Sequence, residues 1–227
     1  MDSLLLKSGT IQSRSAFLAL VCDGVGSMAD GSFASGETAR MLNEWFDRAD
    51  SVARIGLDMR DAILRINSHI ISQAKARNLN TATTLSATLF IENSYYITHI
   101  GDSRIYCYDP EHANARGLSD QTIVGDSGSN PALSLLTSDD VSVSGKLTAC
   151  IGQTDNIFPH YAEGAAGGKT FLLCSDGLYK RMDTDVMVSA IKNWDRKSLR
   201  SPADMLTRYV IERGEPDNIT VAMVKIE

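Results

Sequence analysis

The stretch Leu85-Ser-Ala-Thr-Leu-Phe-Ile-Glu-Asn-Ser-Tyr-Tyr-Ile-Thr-His-Ile100 decides the fold class. Leu85 to Ile91 and Tyr95 to Ile100 are rich in β-branched and aromatic residues, and Glu92-Asn93-Ser94 between them reads as a hairpin turn. Arg104 to Tyr108 continues as a strand after Gly101-Asp102-Ser103 and stops at Asp109-Pro110. Upstream, Phe17-Leu-Ala-Leu-Val-Cys22 is a buried strand halted by Asp23-Gly24. Downstream, Lys169 to Cys174 is another, ended by Asp176-Gly177, and Asn218 to Ile226 is a terminal strand. The helical stretches are Glu37 to Phe46, a stripe of Met59, Ile63, Ile66, Ile70 and Ala74 with Asp58 as N-cap, and Asp183 to Trp194. A last helix opens with Ser201-Pro202-Ala203-Asp204 and closes at Gly214. Residues 24–36, with four glycines, read as a loop, and residues 119–168 as long loops with short helical pieces. Strands cluster together and helices cluster between them, which favours α+β layering over a doubly wound parallel sheet.

The chain has 227 residues, enough for one domain with a large core. Apolar residues make up 43% and charged residues 22%, an ordinary globular balance. The net charge of −6 argues against non-specific nucleic-acid binding. No apolar run approaches the roughly 20 residues of a membrane helix, and the start, Met-Asp-Ser-Leu-Leu-Leu-Lys, does not read as a signal peptide. Cys22, Cys107, Cys150 and Cys174 are scattered, without a C-x-x-C pair, so buried reduced thiols and a cytoplasmic location are expected. No repeat or linker interrupts residues 1–227, so a single domain is expected.

The chemistry is in the aspartates. Asp23, Asp102 and Asp176 each follow an apolar strand, and Asp217 precedes the last one. Taken singly, each is a turn residue. Together they can converge at one sheet edge, where carboxylates repel unless a cation neutralises them. All-oxygen ligation suits Mg²⁺ or Mn²⁺. His69 and His99 have no partner at ligand spacing and read as core or surface residues. The 24–36 loop lacks Gly-Lys-Ser/Thr, and Ser175 lacks a G-x-S-x-G frame, so neither a P-loop nor a serine nucleophile is indicated.

Six segments extend this reading: Val21-Cys-Asp-Gly-Val-Gly26, Gly36-Glu37-x-Ala39, Thr83-Thr-Leu-Ser-Ala-Thr88, His99-Ile-Gly-Asp-Ser-Arg104, Leu172-Leu-Cys-Ser-Asp-Gly-Leu178 and Pro216-Asp-Asn-Ile-Thr-Val221. In this order and spacing the chain, from Asp2 onward, resembles the metal-dependent protein phosphatases of the type 2C class, the PPM family, in its bacterial form. The resemblance implies a four-layer αββα sandwich, two antiparallel β-sheets flanked by helix pairs. It implies two cations, Mn²⁺ or Mg²⁺, with a third, weaker one, and a bridging water that attacks phosphoserine or phosphothreonine. Asp23 then corresponds to the aspartate bridging both metals, Gly24 to a carbonyl ligand, Asp176 and Asp217 to ligands of the second metal, and Asp102 to the aspartate of the third. Asp23, Asp176 and Asp217 form the implied catalytic set. Ser103 and Asn218 read as support, and residues 125–150 as a variable flap. The implied partner is a phosphorylated protein, the substrate of a Ser/Thr kinase, with no nucleic acid, no membrane and a monomeric state.

The sequence departs from the family in two places. Val25 stands where some members carry a histidine acid. Of the first motif only Asp2 is present, a metal-linked aspartate by the resemblance, with Met1 in the Glu/Gln place, so the domain is expected to lack the family's first strand and phosphate-anchoring arginine. Arg14 or Arg40 is the internal candidate for that anchor. The rival to an active phosphatase is a PPM-fold module that binds or regulates without turnover.

Overall fold

The computed structural model describes residues 1–113, 130–194 and 201–227. In chain order the elements are β1 (Asp2–Ile11), β2 (Arg14–Asp23), α1 (Gly31–Arg48), α2 (Ile55–Arg77), β3 (Leu85–Ile91), β4 (Ser94–Ile100), β5 (Arg104–Tyr108), α3 (Pro110–Ala113), β6 (Leu133–Leu135), β7 (His160–Ala165), β8 (Thr170–Cys174), α4 (Asp176–Tyr179), α5 (Thr184–Lys192), α6 (Pro202–Glu212) and β9 (Val221–Lys225). One sheet has the order β1-β2-β3-β4-β7 and the other β6-β5-β8-β9, all antiparallel.

Alternation along the strands makes three apolar layers. Leu18, Leu20, Leu85 and Leu89 point outward to Leu42, Ile63 and Ile66 of α1 and α2. Ala19, Val21, Phe90 and Ile97 point inward to Ile105, Phe171, Leu173 and Ala222 of the other sheet. Leu172 and Cys174 point to Met187, Ile191, Leu206 and Val210 of α5 and α6. Burying these faces on both sides of each sheet produces the expected αββα sandwich. The second sheet is one strand narrower, so β1 overhangs it. Leu4 and Leu6, opposite the interior residues Val21 and Ala19, remain 46% and 50% exposed. Among the described residues no helix is long and apolar enough to cross a membrane.

Three local expectations are corrected. Helix α1 begins at Gly31 rather than Glu37. The small residues that suggest a loop are what let its first turn press onto neighbouring backbone: the Ala34 N–H donates to Thr81 Oγ1 (3.1 Å), and Ser35 Oγ donates to the Met1 carbonyl (3.1 Å). Asp58 is not an N-cap. Helix α2 starts at Ile55, and the Asp58 N–H already donates to the Arg54 carbonyl within its first turn. Between residues 130 and 168 the chain forms β6 and β7 and no helical piece. The part at 119–129, and with it residues 125–129 of the flap, lies outside the described residues. Gly101-Asp102-Ser103 carries the chain from the first sheet to the second.

Candidate metal centre

Strand register brings the aspartates to one end of the sandwich. Asp2 pairs with Asp23 at the open end of the β1–β2 hairpin, and Leu85 pairs with Ile100 just before Asp102. In the other sheet Arg104, Cys174 and Val221 lie in one row, which sets Asp102, Asp176 and Asp217 beside one another at the strand ends. Gly177 draws α4 onto the last of these. A Cβ there would lie 2.2 Å from the Asn218 carbonyl oxygen, so only glycine allows the Asp176 and Asp217 backbones to approach this closely.

Threonine hydroxyls fix the centre of this end. The Asp23 N–H donates to Thr84 Oγ1 (2.9 Å), while Thr83 Oγ1 and the Thr84 N–H donate to the Asp23 carbonyl (both 2.9 Å). Thr84 Oγ1 lies 2.7 Å from Ser103 Oγ, and Ser86 Oγ donates to the Ser103 carbonyl (2.7 Å). Gly101 has φ +109° and packs on Thr84, where a Cβ would approach to 2.7 Å. Ser103 thus buttresses Thr84, and the Thr83-Thr84 pair fixes the Asp23 backbone. Gly24 is buried, bridged to Thr83, and its N–H donates to the Met1 carbonyl (3.2 Å). Asp2 is tied down, with its side chain only 6% exposed and Oδ2 accepting from Thr220 Oγ1 at 2.6 Å.

The electrostatics are those of a site with excess negative charge. Burial, then the charges of Asp2, Asp176 and Asp102, holds the Asp23 carboxyl well above the usual carboxylate range. Burial and Asp176 push Asp102 the same way. Asp2 Oδ1 and Asp176 Oδ1 are buried with no hydrogen-bond partner. Unpartnered buried carboxylate oxygens inside a repelling cluster are what a hard cation satisfies, so the donor set fits Mg²⁺ or Mn²⁺. Among the described residues, no three His, Cys, Asp or Glu side chains already stand in a geometry that would hold one ion. Asp217 is the outlying member. It is exposed, and its Oδ1 accepts from the Asn218 N–H (2.8 Å).

The surroundings add residues the sequence did not single out. Lys180 Nζ lies 2.5 Å from Asp176 Oδ2. Arg104 grips Asp139 with Nε and Nη2 (3.0 and 2.7 Å) and stacks 3.7 Å from the Tyr179 ring centroid. His99 is fully buried, with Nδ1 2.9 Å from Ser86 Oγ and Nε2 donating to the Ser138 carbonyl (3.1 Å), and burial pulls its pKa down. His69 Nε2 meets Glu37 at 3.0 Å. Neither internal anchor candidate stands at the carboxylates. Arg14 pairs with Ile11 at the far end of β2, roughly 30 Å along the strand from Asp23. Arg40 is engaged by Glu37 and Glu44 on its own helix. The four cysteines are free and buried, and burial pushes Cys107 and Cys150 up to about 11.

A family model described as Protein phosphatase 2C matches residues 2–210. The chain is 27% identical over 216 residues to the protein phosphatase PhpP of Streptococcus pneumoniae, covering 91% of this chain and 85% of that one. It is 26% identical over 224 residues to the serine/threonine protein phosphatase PstP of Mycobacterium tuberculosis, covering 93% of this chain and 40% of that longer protein. Among solved structures, the serine/threonine phosphatase Stp1 from Staphylococcus aureus matches with a TM-score of 0.81 and 20% identity, covering 100% of this chain and 89% of that one. At that identity the structural likeness establishes the fold.

Proposed function

The chain belongs to the protein phosphatase 2C family, the serine/threonine protein phosphatases, and from that premise we propose that it hydrolyses phosphoserine and phosphothreonine in proteins at the aspartate cluster, using Mn²⁺ or Mg²⁺. Asp23, between the two sheets, is the residue best placed to serve two ions. Asp2, Asp176 and the Gly24 carbonyl complete the inner donors, with Asp102 and Asp217 at the margins. When bound, the cations supply the positive charge that acidifies an attacking water and stabilises both apical oxygens of an in-line displacement. The protein's own contribution is positional. Thr83, Thr84 and Ser103 lock the Asp23 backbone, and Thr220 orients Asp2 through its Oδ2. No side-chain nucleophile is required, which agrees with the buried, protonated thiols at Cys22 and Cys174.

The observation that carries this reading is the pair of buried oxygens on Asp2 and Asp176 that have no hydrogen-bond partner. The test is phosphate release from phosphoserine and phosphothreonine peptides with Mn²⁺ and with excess EDTA. Turnover that needs Mn²⁺ and stops in EDTA is expected, and full activity in EDTA overturns the proposal. Tight Mn²⁺ binding with no turnover on any phosphopeptide would favour the rival binding module.

A further inference from the structure

Lys180 places a cation at the carboxylate end of the fold. Its N–H donates to the Asp176 carbonyl (3.2 Å), closing one turn from the start of α4. Residues four apart on such a turn share a face, and Nζ reaches Asp176 Oδ2 at 2.5 Å. Asp176 Oδ1, the other oxygen of the same carboxylate, is buried and has no partner. The charges of Asp102 and Asp217 act on Lys180 as well. Its neighbour Arg181 cannot take its place, because that guanidinium is held by Glu215 (2.9 Å) and the Arg213 carbonyl (3.1 Å). Both cations line an open cavity with Glu215, Pro216 and Asp217, yet only Lys180 faces the cluster.

Resting on the metal-dependent reading above, we propose that the Lys180 ammonium is a tethered competitor for the Asp176 carboxylate: it holds the metal-free site together and lowers its affinity for a divalent cation. The asymmetry of the pair supports this role. The Lys180 side chain is 55% exposed and the Asp176 side chain 13%. The flexible ammonium can therefore leave for water while the carboxylate stays in place. An ion bound through Asp176 Oδ1 shares the carboxylate with a charge of its own sign on Oδ2, so its affinity is lowered unless the ammonium withdraws. A lysine suits this better than an arginine, whose planar fork would pair with the carboxylate in a more fixed geometry.

The experiment titrates the EDTA-stripped 227-residue protein with Mn²⁺ alone, by calorimetry, in wild type, Lys180→Met, Lys180→Gln and Lys180→Arg. The neutral variants are expected to bind Mn²⁺ roughly 2- to 5-fold more tightly, the scale of a partly exposed ion pair removed from the competition. Lys180→Arg is expected to bind no more tightly than wild type. A second readout is thermal: the neutral variants melt below wild type without metal, and saturating Mn²⁺ closes the gap. A residue that merely packed would lower both midpoints equally and leave affinity unchanged. If wild type binds Mn²⁺ and both neutral variants bind equally or more weakly, the competitor role is overturned while the metal reading stands. If wild type does not bind Mn²⁺ at millimolar concentration, the metal reading falls and this proposal falls with it.

Discussion

Arg104 and Asp102 are two residues apart, yet they belong to charge clusters of opposite construction. Around Arg104 the charges close on themselves. The guanidinium meets Asp139 through two nitrogens, donates to the Tyr106 hydroxyl (3.1 Å) and stacks on Tyr179. Around Asp102, Asp23, Asp2 and Asp176 the charges do not close. Four carboxylates face Lys180 and the Met1 ammonium, which lies 3.8 Å from Asp2 Oδ1, and two of their buried oxygens have no hydrogen-bond partner. The first arrangement fastens the Ser138–Asp140 segment to the second sheet. The second is an unfavourable arrangement that the fold tolerates because the strand ends are fixed by Thr83, Thr84 and Ser103. Local cost concentrated where the surrounding structure over-determines it is the usual signature of a working site.

The largest effect is expected from breaking the open cluster at its centre. Asp23→Asn keeps the size and backbone contacts and removes the charge nearest both sheets. Mn²⁺-dependent turnover of a phosphopeptide should fall by about 10²-fold or more, several kcal/mol of transition-state stabilisation. A loss under about threefold would remove Asp23 from the mechanism. Asp102→Ala should act more weakly, because Asp102 lies at the margin. Two tight Mn²⁺ sites should persist in calorimetry while turnover drops on the order of 10-fold. Loss of both tight sites would place Asp102 among the inner ligands.

Breaking the closed cluster should damage stability rather than chemistry. Arg104→Ala leaves Asp139, 17% exposed, without its partner and strips the Tyr179 face. The expected loss is about 1–3 kcal/mol by urea denaturation, below the full penalty of a buried pair because Arg104 is 27% exposed. A double-mutant cycle with Asp139→Ala should give a coupling of at least about 0.5 kcal/mol. Additive losses would mean that the pair contributes only packing.

The open cluster was far more legible in the sequence than the closed one, for a physical reason. Asp23, Asp102 and Asp176 sit at the ends of apolar strands, and antiparallel pairing sends those ends to one edge whatever the loops do. The α+β layering was legible from the same strands, whose apolar residues fill both faces, while its four-layer form came from the family resemblance. Arg104, Asp139 and Lys180 were not legible as partners. Asp139 is brought to Arg104 by a segment with no periodicity, and the Lys180–Asp176 pair depends on α4, a single turn. Strand β7 escaped because Ala162, Gly164 and Ala165 are weak strand formers held by pairing with β4. The start of α1 escaped because tertiary hydrogen bonds to Thr81 and Met1 outweigh the low helix propensity of Gly31 and Ser35.

The smallest expected effect concerns His99, which ties the closed cluster to the first sheet. Its ring lies 5.8 Å from that of His160, which meets Asp140 Oδ1 at 2.8 Å. Asp140 Oδ2 in turn accepts from the Gly101 N–H (2.9 Å). Burial lowers the His99 pKa in the folded protein, with Asp140, Asp139 and the Ser138 carbonyl opposing it and His160 adding to it. The unfolded chain therefore takes up the proton first as pH falls through the ordinary histidine value of about 6.5. Protons bound preferentially to the unfolded state lower stability, so the fold is expected to lose stability from pH 6.5 downward until His99 itself protonates. His99→Asn keeps a polar side chain in the same cavity and removes this titration. Its stability should be lower than wild type at pH 8, where the Ser86 and Ser138 contacts are lost, and the difference should narrow by pH 5.5. His160→Gln serves as the control, since His160 is 45% exposed and paired with Asp140. Urea midpoints at the two pH values for the three proteins decide the matter. A gap between wild type and His99→Asn that is constant or widens on acidification would show that His99 is not the group sensing pH in this network.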